Sequence, residues 1–208
     1  MMLNRLVYGF LMLCLALPSG AVVSSSVMIP EGPFTLGHGI QPPDGPEQRV
    51  FLGPYLIDQS EVTHEEFKAQ FPGHRFRPGA AHHPVTKVTW YRAKEYCEKV
   101  GARLPTEAEW EKAARGERGS IYPWGNHKPR KRPHPFYSGV VKKNAGSNKQ
   151  DVSFYGVHDM AGSVWEWTAD SQGPSKIIRG GLWNLHLDFQ YSKAYDISSK
   201  PPGTIEWE

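Results

Sequence analysis

Thiols, imidazoles and carboxylates are the groups with which this chain could do chemistry, and their spacing restricts the choice. The two cysteines stand far apart, Cys14 in an apolar N-terminal stretch and Cys97 in mid-chain. Cys97 shares a helical stripe with Trp90, Ala93 and Val100, a place for a small hydrophobe, so it reads as a buried structural thiol. Among nine histidines, His82, His83, His158 and His186 are the metal candidates. No pair has the spacing of a helical metal site, and no His-Glu-x-x-His is present. Lys128, Arg130, Lys131 and Arg132 form a basic run broken by Pro129 and closed by Pro133. Such a run reads as a solvated loop; the alternative is an anionic partner such as a sulfated glycan or phospholipid surface.

The elements that must position these groups are marked by helix caps and turns. Thr106 with Glu109 forms a capping box, and Pro105 fixes where the helix starts. Trp110, Ala113 and Ala114 then share one face, suited to a core. Thr63 with Glu66 is a second box ahead of Phe67, and Thr89 opens a helix that Gly101 ends. Strands are expected at Val27–Ile29, Phe34–Leu36, Val50–Asp58, Trp165–Thr168 and Ile177–Arg179, with residues 116–152 irregular.

With 208 residues, 39% apolar and 12% aromatic, the chain suits one globular domain. Seven tryptophans, 21 glycines and 18 prolines point to large anchors in a loop-rich fold, not to a helical bundle. A net charge of +3 is too small to imply nucleic-acid binding. Arg5, the apolar run Leu6–Leu17 and the small residues Pro18–Ala21 make residues 1–21 a secretory signal peptide. The run is short for a spanning helix, so the mature chain is expected in the periplasm or outside the cell, without stable membrane insertion. Cys14 as a lipid anchor is disfavoured, because Leu11-Met12-Leu13 lacks the small residue expected before such a cysteine.

Several blocks in order carry a family resemblance: His83-Pro84-Val85, Val88–Ala93, Gly101–Thr106, Leu104–Arg115, Tyr122–Asn126, Tyr155–Met160, Asp159–Trp167 and Arg179-Gly180-Gly181. Together they resemble the formylglycine-generating enzyme (sulfatase-modifying factor) family over residues 28–208. The resemblance implies an α+β fold related to C-type lectins, with limited regular structure. It also implies a closing Gly-Phe-Arg strand that the residues up to Glu208 do not contain.

Oxidising members act through two copper-binding cysteines after the Arg-Gly-Gly motif. Here the matching positions fall near Leu185 and near Phe189 or Gln190, and no cysteine follows Arg179. Leu and Phe have no soft donor for cuprous ion, so no catalytic residue is assigned and copper is not expected. Iron-dependent relatives draw histidines from an extra helical domain for which the chain has no room. The family's structural calcium would match the Asp159 side chain, the Gly162 and Val164 carbonyls and the Glu166 carboxylate, all hard oxygen donors. Ser163 stands where the family usually has asparagine. The alternative for this segment is that Trp165 and Trp167 anchor the core while Glu166 pairs with an arginine. The leading function is an exported, non-oxidising module binding an extended peptide, protein or glycan in a cleft lined by Arg179, Trp183, His186 and Tyr191. The runner-up is a family enzyme with a divergent metal-dependent site using His186 and Asp188.

Overall fold

The computed structural model describes residues 25–37, 47–127 and 143–180, together with the backbone of 193–196. Strand β1 (Ser26–Ile29) pairs antiparallel with β4 (Tyr55–Asp58), and β2 (Gly32–Leu36) with β3 (Gln48–Leu52). The stretch 50–58, expected as one strand, is therefore two. Pro54 has no N–H for a ladder, and beside Gly53 it breaks the strand so that each half finds its own partner. A third antiparallel sheet has the order β5 (Trp165–Gln172), β6 (Ser175–Gly180), β7 (Lys193–Asp196). The last of these carried no signal in the sequence reading.

Each helix begins where a side chain satisfies the orphan amides of its first turn. In α1 (His64–Gln70), the Glu66 amide donates to Thr63 Oγ1 at 3.3 Å and the Thr63 amide to Glu66 Oε2 at 2.8 Å. In α3 (Glu107–Arg115) the same pair of bonds joins Thr106 and Glu109, at 3.2 and 2.8 Å. Arg103 adds a two-pronged bond to Glu109 at 2.6 and 2.7 Å, which draws that carboxyl below its usual range. Helix α2 (Trp90–Lys99) opens on Thr89 and ends at Gly101, whose φ of 77° lets the Ala102 amide turn back to the Cys97 carbonyl.

The main core gathers Ile29 of β1, Trp110, Ala113 and Ala114 of α3, and Val157, Met160 and Ala161 from the segment before β5. Trp110 is 0% exposed, and truncating such a ring to alanine costs about 3–5 kcal/mol. Phe67, Phe71 and Tyr96 form a second cluster, with Cys97 half-buried at its edge. Val100, expected on the buried stripe of α2, is 47% exposed. It is the C-cap, where the chain leaves the helix, so the stripe ends before it.

The opposite side of α3 is buried too, although its residues are charged. Lys112 is 0% exposed and donates to the Pro30 and Gly32 carbonyls at 2.7 and 3.1 Å. Arg115 donates to the carbonyls of Gly37 (2.9 Å), Gly119 (2.9 Å) and Ser120 (2.8 Å) and pairs with Glu111. Glu111 in turn accepts from the Gly37 amide at 2.8 Å. These charges are buried because each meets donors or acceptors of the main chain.

Candidate functional site

The segment from Asp159 to Glu166 folds as two tight turns leading into β5. Asp159 and Ser163 both lie in the left-handed region, with φ of 60° and 63°. Asparagine and aspartate enter that region more readily than serine does, so the departure at Ser163 sits where the backbone is most demanding. Asp159 Oδ2 accepts from the Gly146 amide at 2.6 Å, and Asp151 Oδ2 from the Ala161 amide at 2.8 Å. Together these bonds hold the turns against residues 144–151. The His158 amide donates to the Gln59 carbonyl at 2.8 Å, bringing the chain between β4 and α1 against the same turns.

Gly180 holds two expected ligand atoms side by side. It pairs with Trp165 across the β5–β6 ladder, and its φ is 76°. A Cβ there would meet the Val164 carbonyl oxygen at 3.1 Å, the Trp110 ring at 3.6 Å and Glu166 Oε1 at 4.0 Å. The Val164 carbonyl and the Glu166 carboxylate thus both face the space beside this glycine. Glu166 Oε2 accepts from the Trp110 indole at 2.7 Å. Arg179, directly opposite Glu166 in the ladder, turns instead to Glu107 and to Glu111 (3.1 Å) of α3. The alternative of an arginine partner for Glu166 is not what the geometry shows; its partner is an indole.

Glu61, which the sequence reading passed over, completes the cluster. The residue as a whole is half-buried, but both carboxylate oxygens are sealed from solvent and neither accepts a hydrogen bond. Burial raises its pKa well above the usual glutamate value, and the neighbouring Asp159 and Glu166 carboxylates add to the rise. Glu166 is pushed up to about 8, first by burial and then by Asp159 and Asp151, against the opposing Trp110 bond. No sequence motif flags Glu61. The only available sign is an acid placed two residues before a capped helix, a position with no periodic meaning.

Such a cluster of acids fits a hard cation. Carboxylate oxygens sealed from solvent beside other carboxylates are what calcium would satisfy, and the Val164 carbonyl is of the right donor type. Among the described residues, no three Asp, Glu, His or Cys side chains group closely enough to hold a metal alone. An ion here would need the main-chain oxygens as well. Calcium, if bound, would be held by Asp159, Glu166, Glu61 and the Val164 carbonyl, with Gly162 buried in the same turn. The positions that the resemblance matches to the copper-binding cysteines, Leu185 and Phe189 or Gln190, carry no thiol and lie outside the described residues. Burial lifts the Cys97 thiol to about 11, with the Asp58 carboxylate adding to the rise, which leaves it protonated at neutral pH.

Of the expected cleft residues, Arg179 is 4% exposed and clamps β6 to α3. Trp183, His186 and Tyr191 lie outside the described residues, as do Leu185, Asp188, Phe189 and Gln190. Trp167 donates its indole N–H to the Val88 carbonyl at 3.0 Å, anchoring β5 to the chain before α2.

The family model of the sulfatase-modifying factor enzyme 1-like domain matches residues 17–205. The chain belongs to this family. It is 30% identical over 216 residues to the serine/threonine-protein kinase pkn1 of Chlamydia pneumoniae, covering 80% of this chain and 34% of the relative. It is 38% identical over 118 residues to the inactive C-alpha-formylglycine-generating enzyme 2 of Bos taurus, covering 48% of this chain and 38% of the relative. The chain thus spans little more than a third of the length of these relatives. The solved structure of Treponema denticola variable protein 1 superposes with a TM-score of 0.63 at 22% identity, covering 86% of this chain and 90% of that one. The fold is the mixed α+β, loop-rich fold expected from the resemblance.

Proposed function

We propose that the chain is an exported, calcium-stabilised sulfatase-modifying-factor domain that has given up oxidation and works by binding an extended peptide, protein or glycan. The observation that carries this reading is the donor set. No cysteine follows Arg179, and the one thiol beyond the N-terminal apolar stretch, Cys97, sits against aromatic rings with its proton held on. Copper oxidation of a peptide thiol needs soft ligands and a thiolate to exchange with the substrate, and neither is supplied. The bovine relative, whose name records an inactive enzyme, supports the same direction.

The test is incubation of the purified chain with a sulfatase-type cysteine peptide and copper, followed by mass spectrometry. The peptide thiol should remain intact. Copper-dependent conversion of the thiol to an aldehyde would overturn the non-oxidising reading.

A further inference from the structure

The net charge of +3 hides a marked separation. Residues 67–94 contain six of the chain's 24 Lys and Arg (Lys68, Arg75, Arg77, Lys87, Arg92, Lys94) and three histidines, but none of its 21 Asp and Glu. The structure folds the 71–83 part of this acid-free span back onto the start of α1. After α1 the chain folds back, with the His64 and Glu65 amides donating to the His83 and Ala81 carbonyls at 3.0 Å each. Further turns close at His74, Ala80 and His83, so the cations ride on a pinned loop.

Aromatic and imidazole rings pack at the centre of this loop. His64 Nδ1 and His74 Nε2 are 2.9 Å apart with ring centroids 5.2 Å apart and planes tilted by 18°. Since a ring nitrogen lies roughly 1.1 Å from its centroid, these values describe an end-to-end bond between nearly coplanar rings, with one proton shared along it. Phe76 packs on both imidazoles, and Lys68 Nζ lies 5.5 Å from its centroid. Arg77 approaches His83 at 3.4 Å, while Arg75, Arg77 and His82 are exposed. The compensating acids stand at the rim: Glu65 beside His82 at 3.5 Å, and Glu95 and Glu98 beside Arg92 and Lys94. Burial, and then the neighbouring His74, His83 and Arg77, lower His64 to about 4, a sign of the positive field inside the patch.

We propose that this face, built on Lys68, Arg75, Arg77 and the histidines around Phe76, binds a sulfated glycan. Guanidinium forks suit sulfate oxygens, and a loop whose backbone is already held in place loses little entropy on binding. Phe76 is half-buried with its neighbours already on it, so this ring offers no open face for a nucleobase to stack upon. Among the described residues, no large exposed hydrophobe lies in the 64–84 segment, which disfavours a lipid surface. The inference names a glycan class for the binding role proposed above, but on residues other than the expected cleft.

The test is calorimetric titration of the purified chain with a heparin-derived octasaccharide. It is repeated on the Lys68→Ala/Arg75→Ala double variant and on a control of equal charge loss, Arg118→Ala/Lys149→Ala, which removes exposed cations outside the 64–84 segment. Binding should weaken at least tenfold in the first variant and stay within twofold in the control, with melting curves of both unchanged. Equal losses in both would reduce the effect to net charge and overturn the site, as would no binding by the parent chain. Tighter binding to a short DNA duplex or to phosphatidylserine vesicles than to the octasaccharide would overturn the glycan assignment. A copper-converted peptide would sink the non-oxidising reading while leaving this face untouched.

Discussion

Trp110 donates its indole N–H to Glu166 Oε2 at 2.7 Å, and this one bond joins the buried centre of α3 to the first residues of β5. The ring fills the core while its polar edge opposes, without cancelling, the rise in pKa that burial and two neighbouring acids impose on that carboxyl. Core packing and the acid cluster are therefore coupled through a single side chain.

Replacing Trp110 by phenylalanine keeps most of the apolar volume and removes the donor. Leaving Glu166 without this partner should cost about 1–3 kcal/mol, beyond any packing loss. Urea denaturation of the variant against the parent measures it. An unchanged midpoint would show that the bond contributes nothing.

The acid cluster makes a prediction about pH with a definite sign. Glu61 and Glu166 have folded-state pKa values raised above those of an unfolded chain, so the native state holds extra protons without a cation. Stability in chelator should be greatest below about pH 4.5 as far as these groups contribute, and should fall as pH rises toward about 8. Calcium should reverse that fall, raising apparent stability by about 2.7 kcal/mol at a hundredfold excess over its dissociation constant. Melting curves across pH with calcium and with chelator, on the parent and on Glu61→Gln, test the point. Coincident curves at pH 8 would exclude the ion.

At Ser163 the backbone is left-handed, with φ of 63°. Asparagine tolerates that region better, so Ser163→Asn should stabilise the fold by about 0.5–1 kcal/mol, a part of the left-handed penalty. Thermal unfolding in the presence of calcium gives the comparison, and a lower melting temperature would contradict it.

Arg115 offers the largest expected loss. Its guanidinium serves three carbonyls and Glu111, and both charged partners are buried. Arg115→Met leaves Glu111 uncompensated on that side and should cost about 3–5 kcal/mol. A denaturation midpoint within experimental error of the parent would refute the ledger for this network.

Local chemistry was the most legible part of the sequence. Both capping boxes, the Gly101 terminator and the Trp110–Ala113–Ala114 face follow from side-chain reach and helical period, and all stand as expected. Burial of charge was not legible. Glu111, Lys112 and Arg115 lie where a helix would ordinarily meet water, and only the loops wrapped over them remove it. Glu61 was missed for a related reason: its partners are nearly a hundred residues away, and no spacing rule links them. The gathering of cations around Phe76 was likewise invisible until the loop after α1 folded back.

The bonds that Lys112 and Arg115 of α3 send into the surrounding loops end on main-chain carbonyls at Pro30, Gly32, Gly37, Gly119 and Ser120. A carbonyl is the same whatever side chain its residue bears. The helix therefore grips the course of these loops and is blind to their spelling. Lys112 and Arg115 cannot drift, and at Gly32, Gly37 and Gly119, with φ of 145°, 83° and 63°, the backbone path itself calls for glycine; it is the side chains between these fixed points that the helix does not read. A scaffold fastened in this way can exchange its surface loops, and with them its ligands, without renegotiating its interior.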